Sequence, residues 1–154
     1  MRGRSAARIT NFSSRRAPGA SALWSRLHAR LYRLTGGRFM PKWFGAPVMV
    51  LETVGRRSGE PRVTPLVYVR EGDTLVVSPS SGGTNPNPAW WLNLKAAGEG
   101  TAVVGSEQWR VCPRVAEGAE RERLWPKLCD AYPGMRDYVR ILGRDLTVVV
   151  LERV

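Results

Sequence analysis

Two runs rich in β-branched residues, 48–54 and 63–69, flank a short stretch of arginine, glycine and proline. β-Branched side chains favour strands, and glycine and proline favour turns, so this segment predicts a hairpin. A third run at 74–78 extends the prediction to a three-stranded meander. Turn residues also separate the later β-rich runs, which are 101–104, 108–112 and 146–153. The pattern predicts an α+β fold, a barrel of about six mostly antiparallel strands rather than a doubly wound parallel sheet.

Helical periodicity marks the segments that are inserted between these strands. Pro88 suits the first turn of a helix that ends near residue 97. Two further helical patterns cover 117–131 and 135–142. Because most β-rich runs are joined by short turns and only some by helices, we expect the helices to cover an antiparallel barrel.

The amino-terminal part of the chain has a different character. Residues 1–20 contain few large apolar side chains, which predicts a flexible basic tail. Over 21–35, leucines recur at helical spacing and arginines lie on another face, which predicts an amphipathic helix. We therefore expect one domain over 21–154, in which this helix precedes a barrel over 40–154. The helix has two open roles, contact with an anionic membrane or contact with a partner subunit.

The net charge of +11 is concentrated at the front of the chain. Residues 1–62 hold 13 of the 24 basic residues but only two of the 13 acidic ones. This asymmetry predicts a localised anionic partner rather than a uniformly basic surface. A nucleic-acid partner is disfavoured, because the arginines lack a known binding motif and an aromatic stacking platform.

Several reaction classes lack their required residues. The two cysteines and the single histidine, His28, do not form a metal-binding or disulfide pattern, so we expect no metal site and a reducing cytoplasm. No apolar run approaches the roughly 18 residues that span a bilayer. The sequence has neither a nucleophile elbow nor a Walker loop. An enzyme of this composition would therefore rely on a bound cofactor.

The stretch 54–62, here called the arginine loop, has the composition of an anion-binding turn. It holds three arginines, a serine and two glycines, which provide guanidinium groups and a backbone that an oxyanion can approach. An ordinary solvated hairpin loop is the alternative interpretation. A second stretch, 78–88, here called the serine loop, places hydroxyl groups and backbone amides before a helix amino terminus. Two such loops in one small barrel favour a phosphate-binding pocket.

Four motifs then narrow the interpretation. They are TVGRRSGEPRVTPL at 53–66, NPAWWLNL at 87–94, WP at 125–126 and YP at 132–133. In this order and spacing, the chain from about residue 40 to 154 closely resembles the deazaflavin-dependent nitroreductase family of actinobacteria. The resemblance implies a split β-barrel that binds coenzyme F420, whose phospholactyl-polyglutamate tail is polyanionic. It also implies hydride transfer to a quinone or a nitroaromatic acceptor.

The resemblance assigns roles to particular positions. It implies a cofactor site formed by both loops, the second strand of the hairpin and the helix after the serine loop, and an acceptor pocket near the end of the chain. Ser80, Tyr132 and Tyr138 would be catalytic. The cofactor contacts would be Arg56, Arg57, Ser58, Arg62, Val63, Thr64, Pro65, Leu66, Val67, Ser78, Pro79, Ser80, Ser81, Ala89, Trp90, Trp91, Leu92, Asn93 and Met135. From spacing alone, core packing is the favoured interpretation for Trp90, and the tyrosines with Met135 form a packing seam, with a pocket wall as the alternative.

This chain also departs from the family pattern. Val67 and Met135 stand where the best-known nitroreductase of the family has tyrosines, Ser81 replaces a basic residue, and Arg57 replaces a lysine. The first two changes remove hydroxyls from the acceptor pocket, which favours a quinone over a nitroimidazole. We therefore expect an F420-dependent reductase, with FMN a less favoured cofactor and a homodimer a compatible assembly. The alternative is a non-catalytic protein that carries F420 or a flavin.

Overall fold

The computed structural model describes residues 42–43, 45–83 and 87–154. The tail 1–20 and the helix 21–35 predicted from the sequence lie outside these residues. Eight strands form one sheet, and every pairing between them is antiparallel. They are β1 (Lys42–Trp43), β2 (Ala46–Val54), β3 (Pro61–Val67), β4 (Val69–Glu71), β5 (Thr74–Val77), β6 (Gly100–Val104), β7 (Glu107–Val115) and β8 (Val149–Arg153). The predicted antiparallel α+β fold is confirmed.

The sheet curls because one segment pairs at both of its ends. Along the hydrogen-bonded path, β2 is followed by β6, β7, β8, β5 and β4. Only Tyr68 separates β4 from β3, and β3 pairs with β2 at the start of the path. The Tyr68 N–H still donates to the Pro47 carbonyl of the segment paired with β3, at 3.2 Å. The strand order therefore returns to β2, which is how a sheet closes into a barrel.

Three helices and one 3₁₀ turn complete the described fold. The helices are α1 (Ala89–Ala97), α2 (Gly118–Ala131) and α3 (Gly134–Leu142), and the 3₁₀ turn is Ser81–Gly83. α1 packs on β2 and β3, α2 on β4 and β5, and α3 on the 3₁₀ turn. α1 ends at Gly98, whose φ of 72° suits glycine and whose N–H donates to the Leu94 carbonyl. All three predicted helices after the serine loop are confirmed to within one residue at each end.

The main core fills the concave side of the sheet and the underside of α1. Met49 and Leu51 face it from β2, and Val50 between them faces the other side with Val103, as strand alternation requires. Trp109 and Leu94 are fully buried in the same cluster. A smaller cluster around Met135 and Leu146 anchors α3. The two loops therefore emerge from well-packed elements.

Two sequence predictions need correction. The run 63–69 is not the middle strand of a meander, because it pairs with β2 through β3 and leaves that strand at Tyr68, and β4 then pairs with β5. The last strand begins at Val149, not at residue 146, because Leu146 and Val148 are buried in a connection that packs against α2 and α3. Apolar content alone cannot distinguish a packed connection from a strand.

Candidate functional site

The arginine loop forms a compact turn between β2 and β3. The Gly55 N–H donates to the Glu60 carbonyl, and the Gly59 N–H donates to the Gly55 carbonyl, both at 2.8 Å. A Cβ atom on Gly55 would lie 2.6 Å from Ser58 Oγ and 3.3 Å from the Glu60 carbonyl oxygen, so a larger residue there would displace the Ser58 side chain. Gly59 adopts a φ of 68°, which glycine tolerates best. The glycines noted in the sequence therefore determine the shape of the loop.

Arg56 ties this loop to α1. Both its backbone N–H and its guanidinium Nη1 donate to Asn93 Oδ1, at 3.2 Å and 3.1 Å. Asn93 is 4% exposed, whereas Arg56 is exposed. One buried amide oxygen thus fixes both the position of the loop backbone and the direction of its first arginine.

The other two arginines of the loop also lack acidic partners. Arg62 Nη2 donates to Ser58 Oγ at 3.3 Å, and Arg57 is exposed. Within the described ranges, none of Arg56, Arg57 and Arg62 forms an ion pair with a carboxylate. Arginines elsewhere do, as the 2.7 Å contact of Arg110 with Glu99 and the 2.8 Å contact of Arg123 with Glu71 show. The loop therefore concentrates positive charge that the surrounding described residues do not neutralise.

The predicted cofactor contacts outside the two loops lie mainly on β3 and α1. Val63 to Val67 are all half-buried, and Leu66 packs against the main core. Trp90 and Trp91 belong to that core and are 6% and 5% exposed. Leu92 is half-buried and Ala89 is exposed at the amino end of α1. α1 thus contributes mainly core side chains and one polar anchor, Asn93.

The serine loop begins as a buried extension of β5. Ser78 Oγ donates to the Thr147 carbonyl at 2.8 Å, so its hydroxyl holds this loop against the connection before β8. Pro79 and Ser80 are also buried. The Gly83 N–H donates to the Ser80 carbonyl at 2.8 Å, and Ser81 has a φ of 44°. The chain is therefore turned sharply just after Ser80.

Tyr132 and Tyr138, here called the tyrosine pair, meet beside this turn. Their hydroxyl oxygens are 2.8 Å apart, and their ring centroids are 5.9 Å apart. A Cβ atom on Gly83 would lie 2.8 Å from Tyr138 Cδ1, so the turn contacts the ring directly. Met135 is 3% exposed and packs beneath the pair with Cys129 and Leu146. The structure thus brings Ser80, the tyrosine pair and Met135 into one region.

Comparisons with known proteins support an assignment to a family. Residues 24–153 match the family described as F420H(2)-dependent quinone reductase. The chain belongs to this family. An F420H(2)-dependent quinone reductase of Mycobacterium tuberculosis is 33% identical over 132 residues, which cover 83% of this chain and 89% of that protein. The resemblance seen in the motifs is confirmed.

Solved structures agree with the family assignment. An F420-H2-dependent reductase, FDR-A, superposes with a TM-score of 0.63 and 31% identity, covering 69% of this chain and 94% of that one. A second structure, described as a domain-swapped dimer, gives a TM-score of 0.65 and 27% identity and covers 86% and 99% of the two chains. The fold described above is therefore the fold of this reductase family.

The predicted site residues of this family member fall into two described groups. The arginine loop, β3 and Asn93 form one, and the serine loop with the tyrosine pair forms the other. Residues 84–86 lie between them in sequence, outside the described ranges. An open depression beside α2, lined in part by Glu117, Arg121 and Asp145, shares no residue with either group. Sequence reasoning missed the contact role of Gly83, because only its membership of a glycine-rich turn was visible.

Three further properties of the described residues concern membrane spans, metal ligands and thiols. Among the helices that the structure describes, none is both long and apolar enough to cross a bilayer. No group of metal-ligating side chains occurs in 45–83 or 87–154. Cys112 and Cys129 are free thiols, and burial raises the pKa of Cys129.

Burial also raises the pKa of Tyr138, and its hydrogen bond with Tyr132 adds to the shift. Its hydroxyl therefore stays neutral, and able to donate, throughout the physiological pH range.

An unfolded tyrosine ionises near pH 10, so the folded state loses stability as the pH rises above about 10. We expect Tyr138→Phe to flatten the decline of the unfolding free energy above that pH, by at most about 1.4 kcal/mol per pH unit. Urea denaturation between pH 9 and 11 measures this slope, and an unchanged slope would contradict the assignment.

Proposed function

We propose that the protein is a reductase that transfers a hydride from reduced coenzyme F420 to a quinone. Two kinds of evidence support this. The chain belongs to the F420H(2)-dependent quinone reductase family over 24–153. Its arginine loop also carries three guanidinium groups without carboxylate partners in the described part of the chain. The second observation carries the proposal, because it concerns this chain's own residues.

The arginine loop fits the anionic tail of F420 chemically. A guanidinium presents a planar set of donors that matches phosphate and carboxylate groups. Asn93 and Ser58 orient Arg56 and Arg62 through neutral oxygens, so that the positive charges remain unneutralised. A tail with one phosphodiester and several carboxylates provides the matching charge. Without a bound anion, the three guanidinium groups repel one another, and the loop itself holds a single acidic residue, Glu60.

The remaining cofactor contacts are proposed from the family pattern and from their place in the fold. We assign Val63, Thr64, Pro65, Leu66 and Val67 on β3, and Pro79, Ser80 and Ser81 in the serine loop, to the ring and ribityl side. Ala89, Trp90, Trp91 and Leu92 of α1 would support the phosphate region. Ser78 and Met135 would act mainly through packing, since Ser78 Oγ donates to Thr147 and Met135 lies beneath the tyrosine pair.

Bound F420 would supply the hydride, and the chain would supply binding, orientation and hydrogen bonds. We propose that the tyrosine pair faces the acceptor together with Ser80. The two hydroxyls are hydrogen-bonded to each other, and either oxygen can be the donor. A tyrosine hydroxyl of this pair would donate to a quinone oxygen as negative charge develops there. The raised pKa of Tyr138 suits a hydrogen-bond donor better than a proton-releasing acid.

A quinone is the acceptor that this pocket favours. The M. tuberculosis relative is named for quinone reduction. Val67 and Met135 lack the hydroxyls that would anchor a nitro group. One solved relative is described as a domain-swapped dimer, and a homodimer is the assembly that we propose here as well.

Anaerobic stopped-flow measurements test the proposed reaction. Protein saturated with reduced F420 is mixed with increasing menadione, and the return of deazaflavin absorbance is followed. We expect a rate that saturates with quinone and exceeds the rate in buffer. Oxidation no faster than in buffer would contradict the proposal and favour a protein that only carries the cofactor.

A further inference from the structure

Asn93 occupies an unusual position for a residue expected to contact the cofactor. It lies in α1 between the core residues Trp90 and Leu94, and only 4% of it is exposed. Its amide oxygen already accepts two hydrogen bonds from Arg56, at 3.2 Å and 3.1 Å. The described contacts of this oxygen are therefore with the arginine loop.

The neutral amide oxygen of Asn93 affects the charge of the arginine loop differently from a carboxylate oxygen. Other arginines of the molecule are held by carboxylates, such as Arg114 by Glu120 and Glu152. A carboxylate orients a guanidinium but also neutralises it, because the pair carries no net charge. An amide oxygen orients the guanidinium through its dipole and leaves the full positive charge in place. Asn93 is buried and its contact with Arg56 is part-buried, so solvent screens this difference only in part.

We infer that Asn93 is a positioning residue, which holds Arg56 toward the cofactor tail and, by being neutral, leaves its charge for that tail. The inference rests on the proposed function of the arginine loop. It differs from a direct contact between Asn93 and the cofactor, because the effect passes through Arg56. It also makes a specific claim. A negatively charged residue of the same shape in place of Asn93 will still hold the arginine loop but will weaken the binding of F420.

Asn93→Asp separates the two properties of this side chain. The carboxylate keeps the acceptor oxygen for Arg56, adds a negative charge and replaces the Nδ2 donor by an oxygen. We expect the thermal midpoint to stay near that of the wild type, because the buried aspartate is paired with Arg56. The dissociation constant for long-tailed F420 should rise by roughly tenfold or more. Affinity for a deazaflavin riboside without the phosphate and glutamate tail should remain unchanged. Gln108→Glu, at an exposed position on β7, is the control for the change in net charge.

A double-mutant cycle tests whether Asn93 acts through Arg56. Asn93→Ser shortens the side chain without adding charge, so the cycle stays informative even if the aspartate variant folds poorly. We expect Asn93→Ser to weaken F420 binding in the wild type and to have a clearly smaller effect in an Arg56→Gln background, where only its bond to the loop backbone is left to lose. An equal loss in both backgrounds would overturn the inference and show a direct contact with the ligand.

Two results separate failure of this inference from failure of the proposed function. If the wild type prefers F420 to the tail-free riboside but Asn93→Asp retains that preference, the role of Asn93 is wrong and the arginine loop stands. If the wild type binds both ligands equally, the role of the arginine loop is wrong, and the inference falls with it.

Discussion

Replacement of Arg56, Arg57 and Arg62 together by glutamine should weaken the binding of coenzyme F420 about 100-fold. Each exposed guanidinium contact with an anionic group contributes about 1 kcal/mol, and three such contacts correspond to a factor of this size. The tail-free deazaflavin riboside should bind almost as well to the variant as to the wild type, because it carries no phosphate or glutamate. Fluorescence titration of both ligands at moderate ionic strength measures the two affinities.

The matched control removes three other arginines. Arg110, Arg114 and Arg123 each pair with a carboxylate, so that replacing them by glutamine lowers the net charge equally without touching the loop. We expect this control to lose less than threefold in F420 affinity, which is the size of a long-range charge effect at moderate salt. If both triple variants lost affinity equally, general electrostatics rather than the arginine loop would explain the binding.

Gly83→Ala should cost both stability and quinone reduction. Gly83 has a φ of 77°, and a methyl group there would lie 2.8 Å from Tyr138 Cδ1. Backbone strain and overpacking together should destabilise the fold by about 2–4 kcal/mol. Displacement of Tyr138 should break its hydrogen bond with Tyr132 and lower kcat/KM for menadione by roughly tenfold. Denaturant unfolding and steady-state kinetics measure the two effects.

Gly72→Ala separates strain from contact. Gly72 has a φ of 57° but open space around the position of a Cβ atom, so its alanine variant carries backbone strain alone. We expect a loss of about 1–2 kcal/mol and normal quinone kinetics. In a Tyr138→Ala background, the excess cost of Gly83→Ala over Gly72→Ala should disappear. An excess that persists without the tyrosine ring would show that another contact is responsible.

The sequence predicted those elements that local patterns define. The hairpin around the arginine loop and the helix α1 follow from β-branched runs, turn residues and a proline at a helix start, which act over a few residues. The antiparallel fold followed from the short connections. The division of the run 63–69 at Tyr68 could not be predicted from local patterns, because this segment pairs first with β2 and then with β5. Such pairing is decided by the whole sheet.

The candidate site also combines features that local sequence predicts with features that depend on long-range contacts. Composition alone pointed to the arginine loop as an anion site, and family motifs supplied the wider set of residues. The link from Arg56 to Asn93 spans 37 positions, and the contact of Gly83 with Tyr138 joins two distant segments. No periodicity encodes such contacts. The family motifs assign Trp90 and Trp91 to the cofactor site, whereas most of their surface packs in the core, as the helical spacing favours for Trp90.

The most direct test of the central claim uses the wild-type protein alone. Titration with long-tailed F420, the tail-free deazaflavin riboside and FMN, each at low and high salt, compares the contribution of the tail with that of the ring. We expect F420 to bind at least about 100-fold more tightly than the tail-free riboside at low salt, and this advantage to shrink as salt screens the arginine loop. Equal affinity for the tailed and tail-free ligands, or an advantage that salt does not change, would contradict the account.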